Sequence, residues 1–225
     1  MYTYLYDSFV SDPKYAKILG NIETRITDLG IQGRIDRVSV FKNPKEILKE
    51  AIRRKSTTVV IVGNDDTIRK TIEVIPDFDL TFAIIPIGSP NQVTKYLGIP
   101  EGELACDTLS ARIIEKIDLG RINNKFFFSN VAIPQTSASV RCNESFDVTP
   151  EDVGGVYIHN LPFPSDSFEP PVNTSYPCDG ILDLYITTPP NSVFGKVKWM
   201  LGKSGNISKN RISVIPVKRL DIRAE

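Results

Sequence analysis

Gly63, Asn64, Asp65, Asp66 and Thr67 follow the β-branched run TTVVIV, and Ile68, Ile72 and Ile75 recur after them at helical spacing. Strand, tight turn and helix start in that order can bind an anion. Free N–H groups and the positive end of the helix dipole meet a phosphate there, and Arg69 and Lys70 add positive charge. The turn has a plainer reading too, with Asp66 or Thr67 as an N-cap. Two carboxylates also stand where a phosphate would rest. A second loop, Pro86-Ile87-Gly88-Ser89-Pro90-Asn91, follows the next apolar run and offers a glycine, a hydroxyl and an amide before another helix start. Alone it reads as a turn capped by Ser89 or Asn91. Successive parallel strands place their C-terminal loops on one edge, so the two loops can face one ligand.

Such loops need a parallel sheet behind them. YTYLY (2–6) suits a strand, and Ile18, Ile22, Ile26 and Leu29 mark a helix stopped by Gly30. GRIDRVSV (33–40) alternates like a strand. Asn43-Pro44 opens a helix with an apolar stripe of Ile47, Leu48, Ala51 and Ile52. TTVVIVG and TFAIIP are continuous apolar runs, as strands covered on both faces should be. A short helix runs from Asn91 to Leu97 and stops at Gly98. Residues 1–100 therefore read as an α/β domain with a parallel sheet.

The pattern changes after Pro100. RIIEKIDLGRINNKFFFSNVAI reads as strand, Asn123-Asn124 turn and strand, with FFF as core. GGVYIHN, GILDLYITT and RISVIPVKRLDIRA are further strands. Residues 161–178 read as a loop and SVFGKVKWMLG (192–202) as an amphipathic helix. Residues 101–225 are thus expected to form a β-rich, sandwich-like domain. A cleft between two lobes is the expected place for a small-molecule site.

Composition excludes several classes. The 225 residues carry 27 basic and 27 acidic side chains. That balance argues against a nucleic-acid binder held by phosphate contacts. Three cysteines without a CxxC spacing suggest neither zinc nor a disulfide framework. No apolar stretch approaches the roughly 20 residues of a membrane span, so a cytoplasmic protein is expected. His159, the single histidine, reads as a core residue. Lys196, Lys198 and Lys203 beside Trp199 and Leu201 form either a peripheral membrane contact or a solvated helix face.

The two loops, with two later stretches, resemble the diacylglycerol kinases and related bacterial lipid kinases, whose superfamily includes sphingosine kinases and NAD kinases. The family's GGDGT is here Gly63 to Thr67, and its P-x-G-T-x-N is Pro86 to Asn91, followed by L-G-I-P. IDLGRINNKFFFSN (117–130) and Asp179-Gly180-Ile181-Leu182-Asp183 are similar to its third and fourth signatures. The resemblance implies a nucleotide-binding domain over 1–100 and a substrate domain over 101–225. It implies ATP and magnesium, with a lipid acceptor such as diacylglycerol. Asp65 would be the catalytic residue, holding phosphate and magnesium with Thr67. Gly63, Asn64, Asp66, Gly88, Ser89 and Asn91 would line the nucleotide, and Asp179 and Asp183 would hold a metal.

Departures define a second reading, an inert relative that binds a nucleotide, a lipid or a protein. Asn64 and Asp66 replace glycines, and both tolerate positive φ. A carboxylate ~4 Å from a phosphate costs about 4 kcal/mol at an effective dielectric of 20. Asn64, being neutral, is expected to matter less. DSFVSDP stands where the family carries an N-P-x-S-G-like turn. The family's general base lies in a late D-G-E motif, and the sequence ends at Glu225 before one. The chain is therefore expected to be either a fragment or a protein without that base.

Overall fold

The computed structural model describes residues 1–134, 138–148, 155–161, 177–187 and 212–224. They fall into two units, Met1–Glu115 and Lys116–Glu225. The first is built on four parallel strands: β1 (Tyr2–Tyr6), β2 (Gly33–Arg37), β3 (Thr58–Gly63) and β4 (Thr81–Pro86). Their order is β2-β1-β3-β4, with Tyr4 facing Val60 and Val60 facing Ala83 across the ladder.

Alternation divides the strand side chains between two cores. Tyr4, Tyr6, Val60, Val62 and Ile85 pack with Ile22 and Ile26 of α1 (Ala16–Asp28) and with Ala105 and Cys106 of α5 (Leu104–Ala111). Leu5 and Val59 pack on the other face with Ile47, Leu48 and Ala51 of α2 (Pro44–Arg53). The N-cap of α2 is Asn43, whose side chain accepts from the Glu46 N–H, with Pro44 next. β4, expected as a doubly covered strand, is the edge of the sheet. Only its last two residues are buried.

β2 buries a charge and exposes an apolar residue. Ile35 is exposed, while Asp36 is 4% exposed. The Asp36 carboxylate accepts from Lys42 Nζ at 2.9 Å and from Arg54 Nη1 at 2.8 Å. Glu50 accepts from the same two cations at 2.7 and 2.6 Å. Burial pushes the Asp36 carboxyl up, but the bonds and charges of Lys42 and Arg54 outweigh it and hold it below the usual range. A depressed carboxyl stabilises the fold above its unfolded pKa, and that stability is lost as pH falls through the folded value. Asp36→Asn should therefore cost about 2 kcal/mol at neutral pH. The deficit should shrink in acid. Urea unfolding at a series of pH values checks this, and an unchanged midpoint at pH 7 would refute it.

The strand expected over 33–40 ends at Arg37. Ser39 and Lys42 then close a tight turn through Ser39 N–H to the Lys42 carbonyl (3.0 Å) and Lys42 N–H to the Ser39 carbonyl (3.2 Å). Val40 and Phe41, at its tip, are 97% and 93% exposed.

The second unit is antiparallel. A hairpin pairs β5 (Gly120–Ile122) with β6 (Lys125–Phe127), and Asn123 in its turn takes φ 52°. β7 (Asn130–Pro134), β10 (Gly155–His159), β11 (Leu182–Thr187) and β12 (Ile212–Val217) form a sheet in the order β12-β11-β10-β7. β8 (Ala138–Cys142), β9 (Phe146–Val148) and β13 (Leu220–Ala224) form another, in the order β13-β8-β9. Val140 and Cys142 from one sheet share a core with Val156, Ile158, Leu184, Ile186 and Val217 from the other, which is the expected sandwich. The strand expected from Arg112 begins only at Gly120, and Ile113 and Ile114 are exposed. The amphipathic segment 192–202 and most of the loop 161–178 lie outside the described residues.

Candidate functional site

β3 delivers its chain to the sheet edge at Gly63. A Cβ there would lie 2.2 Å from Thr67 Oγ1, so close packing of the turn demands glycine. Asn64 is the N-cap of α3 (Asp65–Ile72), correcting the expectation of Asp66 or Thr67. Its Oδ1 accepts from the Thr67 N–H at 3.3 Å, and Thr67 Oγ1 accepts from the Asn64 N–H at 3.2 Å. This is a reciprocal capping box. Asn64 takes φ −113°, and Asp66 lies inside the helix. Neither uses the positive φ that glycines in the family pattern suggested.

β4 delivers the second loop. Ile87 N–H donates to the Gly63 carbonyl at 2.9 Å, and Gly88 takes φ +78° against the ring of Phe9. The loop leads into α4 (Gln92–Tyr96). Asn64 and Asp65 tie the two loops together. Asn64 Nδ2 donates to the Ser89 carbonyl at 2.9 Å, and Asp65 N–H donates to the Pro90 carbonyl at 2.9 Å. The Asp65 carboxylate accepts from the N–H groups of Gln92 (2.7 Å) and Val93 (3.2 Å) at the start of α4. Burial raises the Asp65 carboxyl above its usual range, against the opposing pull of those two bonds.

The loop after β1 supplies a residue that the sequence reading missed. Asp7 is 4% exposed, and its Oδ2 accepts from Thr67 Oγ1 at 2.7 Å. Asp7 N–H donates to the Val62 carbonyl, and Lys70 Nζ lies 3.9 Å from the carboxylate. The signal was its place: a polar residue directly after the buried strand YTYLY, beside the strand that carries Gly63.

Gly63, Asn64, Asp65, Thr67, Gly88, Ser89 and Asn91 thus come together on one sheet edge. Asn91 Nδ2 donates to the Gly88 carbonyl, while its Oδ1 is buried without a hydrogen-bond partner. An oriented acceptor of this kind suits a ligand hydroxyl or amine. Asp66 points outward on the first turn of α3, with Arg69 Nη2 3.5 Å away. The helix-start amides suit a phosphate less well. Those of Asp65, Thr67, Gln92 and Val93 already have protein acceptors.

Asp179 and Asp183 belong to the second unit. Asp179 is exposed, and its Oδ1 accepts from the Ile181 N–H at 2.9 Å, closing a local turn. Asp183 is buried on β11, in register with His159. Among the described residues no three His, Cys, Asp or Glu side chains gather as a metal set.

Residues 3–122 match the diacylglycerol kinase catalytic domain family. The chain is 24% identical over 119 residues to a diacylglycerol kinase of Bacillus subtilis, a stretch covering 51% of this chain and 39% of that protein. It is 30% identical over 116 residues to a probable lipid kinase, YegS-like, of Pseudomonas aeruginosa, covering 51% of this chain and 38% of that one. Each match therefore spans well under half of the relative. A crystal structure of a diacylglycerol kinase from Bacillus anthracis superimposes with a TM-score of 0.77 at 16% identity, covering 100% of this chain and 86% of that one. The fold is shared along the whole chain, and the sequence match is concentrated in the parallel-sheet unit. The chain belongs to the diacylglycerol kinase catalytic domain family.

Proposed function

We propose that the protein is an ATP-dependent lipid kinase that phosphorylates a lipid hydroxyl, as on diacylglycerol. Residues 1–100 would bind the nucleotide and residues 101–225 the acceptor, and use of ATP would place the protein in the cytoplasm. The observation that carries this reading is the interlock of Gly63–Thr67 with Pro86–Asn91. It holds two loops rigid on one edge and keeps Asn91 Oδ1 as a buried acceptor. Preorganised groups of this kind raise affinity without the cost of ordering a loop on binding.

Asp65 then acts by positioning, since its carboxylate holds the start of α4. Gly88, Ser89 and Asn91 would contact the nucleotide. Magnesium would arrive with ATP, because that ion is commonly held by one or two carboxylates together with substrate phosphates.

Titration calorimetry with magnesium-ATP, followed by transfer of labelled phosphate to diacylglycerol in mixed micelles, tests this. Saturable binding and transfer are expected, with affinity reduced about tenfold in Asp65→Ala by loss of the two N–H bonds to its carboxylate. Absence of binding at millimolar ATP would sink the proposal. A second reading, a binding module without turnover, has its own support: Asp65 already occupies amides that an anion would use, and Asp7 and Asp66 add negative charge. Binding of magnesium-ATP without any transfer would favour it.

A further inference from the structure

We propose that the turn Ser39–Lys42 is a membrane-contact finger, with Val40 and Phe41 entering the interface of a bilayer that carries anionic lipid. The choice of a bilayer as occupant rests on the lipid-kinase reading. The finger itself rests on the geometry of the first unit. The centre of a tight turn favours Gly, Asn, Asp or Pro, and nothing in turn chemistry calls for Val-Phe. Both side chains stand almost wholly in solvent.

The base that carries them is firm. Two backbone bonds close the turn. Lys42 is clamped by Asp36 and Glu50, and Val38, just before the turn, packs into the α2 core. The apolar pair is held outward.

Charge selects the partner. Residues 34–55 carry eight Lys and Arg against three Asp and Glu, an excess of five in a chain of zero net charge. Lys42 and Arg54 already pair with Asp36 and Glu50, so the surplus lies on the other basic residues of the segment. Basic residues near an anionic leaflet each strengthen binding by about fivefold. A second copy of the chain fits less well, because a specific protein interface takes about 800 Å² per partner and a two-residue tip offers far less.

Sedimentation of the full chain with vesicles tests the proposal, without nucleotide. One vesicle set is phosphatidylcholine alone and the other holds equal parts phosphatidylcholine and phosphatidylglycerol. Binding is expected to the mixed vesicles. Replacing both Val40→Ser and Phe41→Ser should reduce it at least about tenfold with an unchanged melting temperature, since neither side chain is in a core. Phe41→Trp should bind as wild type, and its added emission should shift to the blue with mixed vesicles. Equal vesicle binding by wild type and the double variant would overturn the finger. So would an unshifted Phe41→Trp emission, or a dimer in solution that the double variant splits. Vesicle binding that survives while magnesium-ATP binding fails would leave the finger standing and remove the kinase reading. The converse result removes the finger alone.

Discussion

Between pH 6.5 and about 4 the protein is expected to lose about 3 kcal/mol of stability through one side chain, His159. It is 2% exposed on β10, and its ring meets the Tyr185 ring edge-on at 5.1 Å. Burial lowers its pKa to about 4, against a small opposing effect of its bond with the Leu161 backbone. The unfolded chain takes up a proton near pH 6.5, where the folded chain does not. The unfolded state therefore binds more protons through this window, and stability rises with pH. His159 is the single histidine, so no second imidazole blurs the slope. Asp65, raised by burial, contributes an opposite slope lower in the carboxylate range. Urea midpoints measured from pH 7 to pH 4 should fall steeply in wild type and much less in His159→Gln, which keeps hydrogen-bonding capacity without titrating. Parallel slopes in the two proteins would show that His159 does not carry the effect.

The parallel half was legible because its strands are continuous apolar runs and its helices carry clean stripes and caps. TTVVIVG and the Asn43-Pro44 cap gave β3 and the start of α2 to within a residue. Errors arose where tertiary charge overrode pattern. GRIDRVSV reads as one strand to Val40, yet the strand ends at Arg37, and Lys42 and Arg54 hold the carboxylate of Asp36 on its buried face. RIIEKIDL looked like a strand because its isoleucines are β-branched, but no neighbour pairs with it. Helix α5 carries no long apolar stripe in its sequence LACDTLSA, although Ala105 and Cys106 sit in the main core.

The candidate site was legible as two loops and not as a network. Type and spacing singled out Gly63–Thr67 and Pro86–Asn91. They could not show that the Asp65 carboxylate caps α4 across 27 positions, or that Asp7 holds Thr67 across 60. Such bonds depend on strand order, and β1 lies beside β3 while β2 lies outside it. Asn64 shows the difference most clearly. From sequence it was a neutral stand-in for glycine. In the fold it caps α3 and binds the second loop through Ser89.

Asp66→Gly and Asn64→Gly should therefore move in opposite directions. Asp66 extends from the first turn of α3, near where a phosphate would approach the loop. A like charge at ~4 Å costs about 4 kcal/mol at an effective dielectric of 20. Exposure and Arg69 at 3.5 Å reduce that penalty. Half of it still corresponds to about thirtyfold in affinity. Asp66→Gly should accordingly bind magnesium-ATP about thirtyfold more tightly, and no less than tenfold. Asn64→Gly loses the capping box and the bond to Ser89, together about 1–2 kcal/mol of stability, and frees the loops from each other. Its affinity should fall, contrary to the small effect that its neutrality suggested. Titration calorimetry on both variants at fixed ionic strength, with thermal melts beside it, separates the two causes. If Asp66→Gly instead weakens binding while wild type binds in the low micromolar range, Asp66 is a ligand to the nucleotide's magnesium, and its negative charge is the reason the loop works.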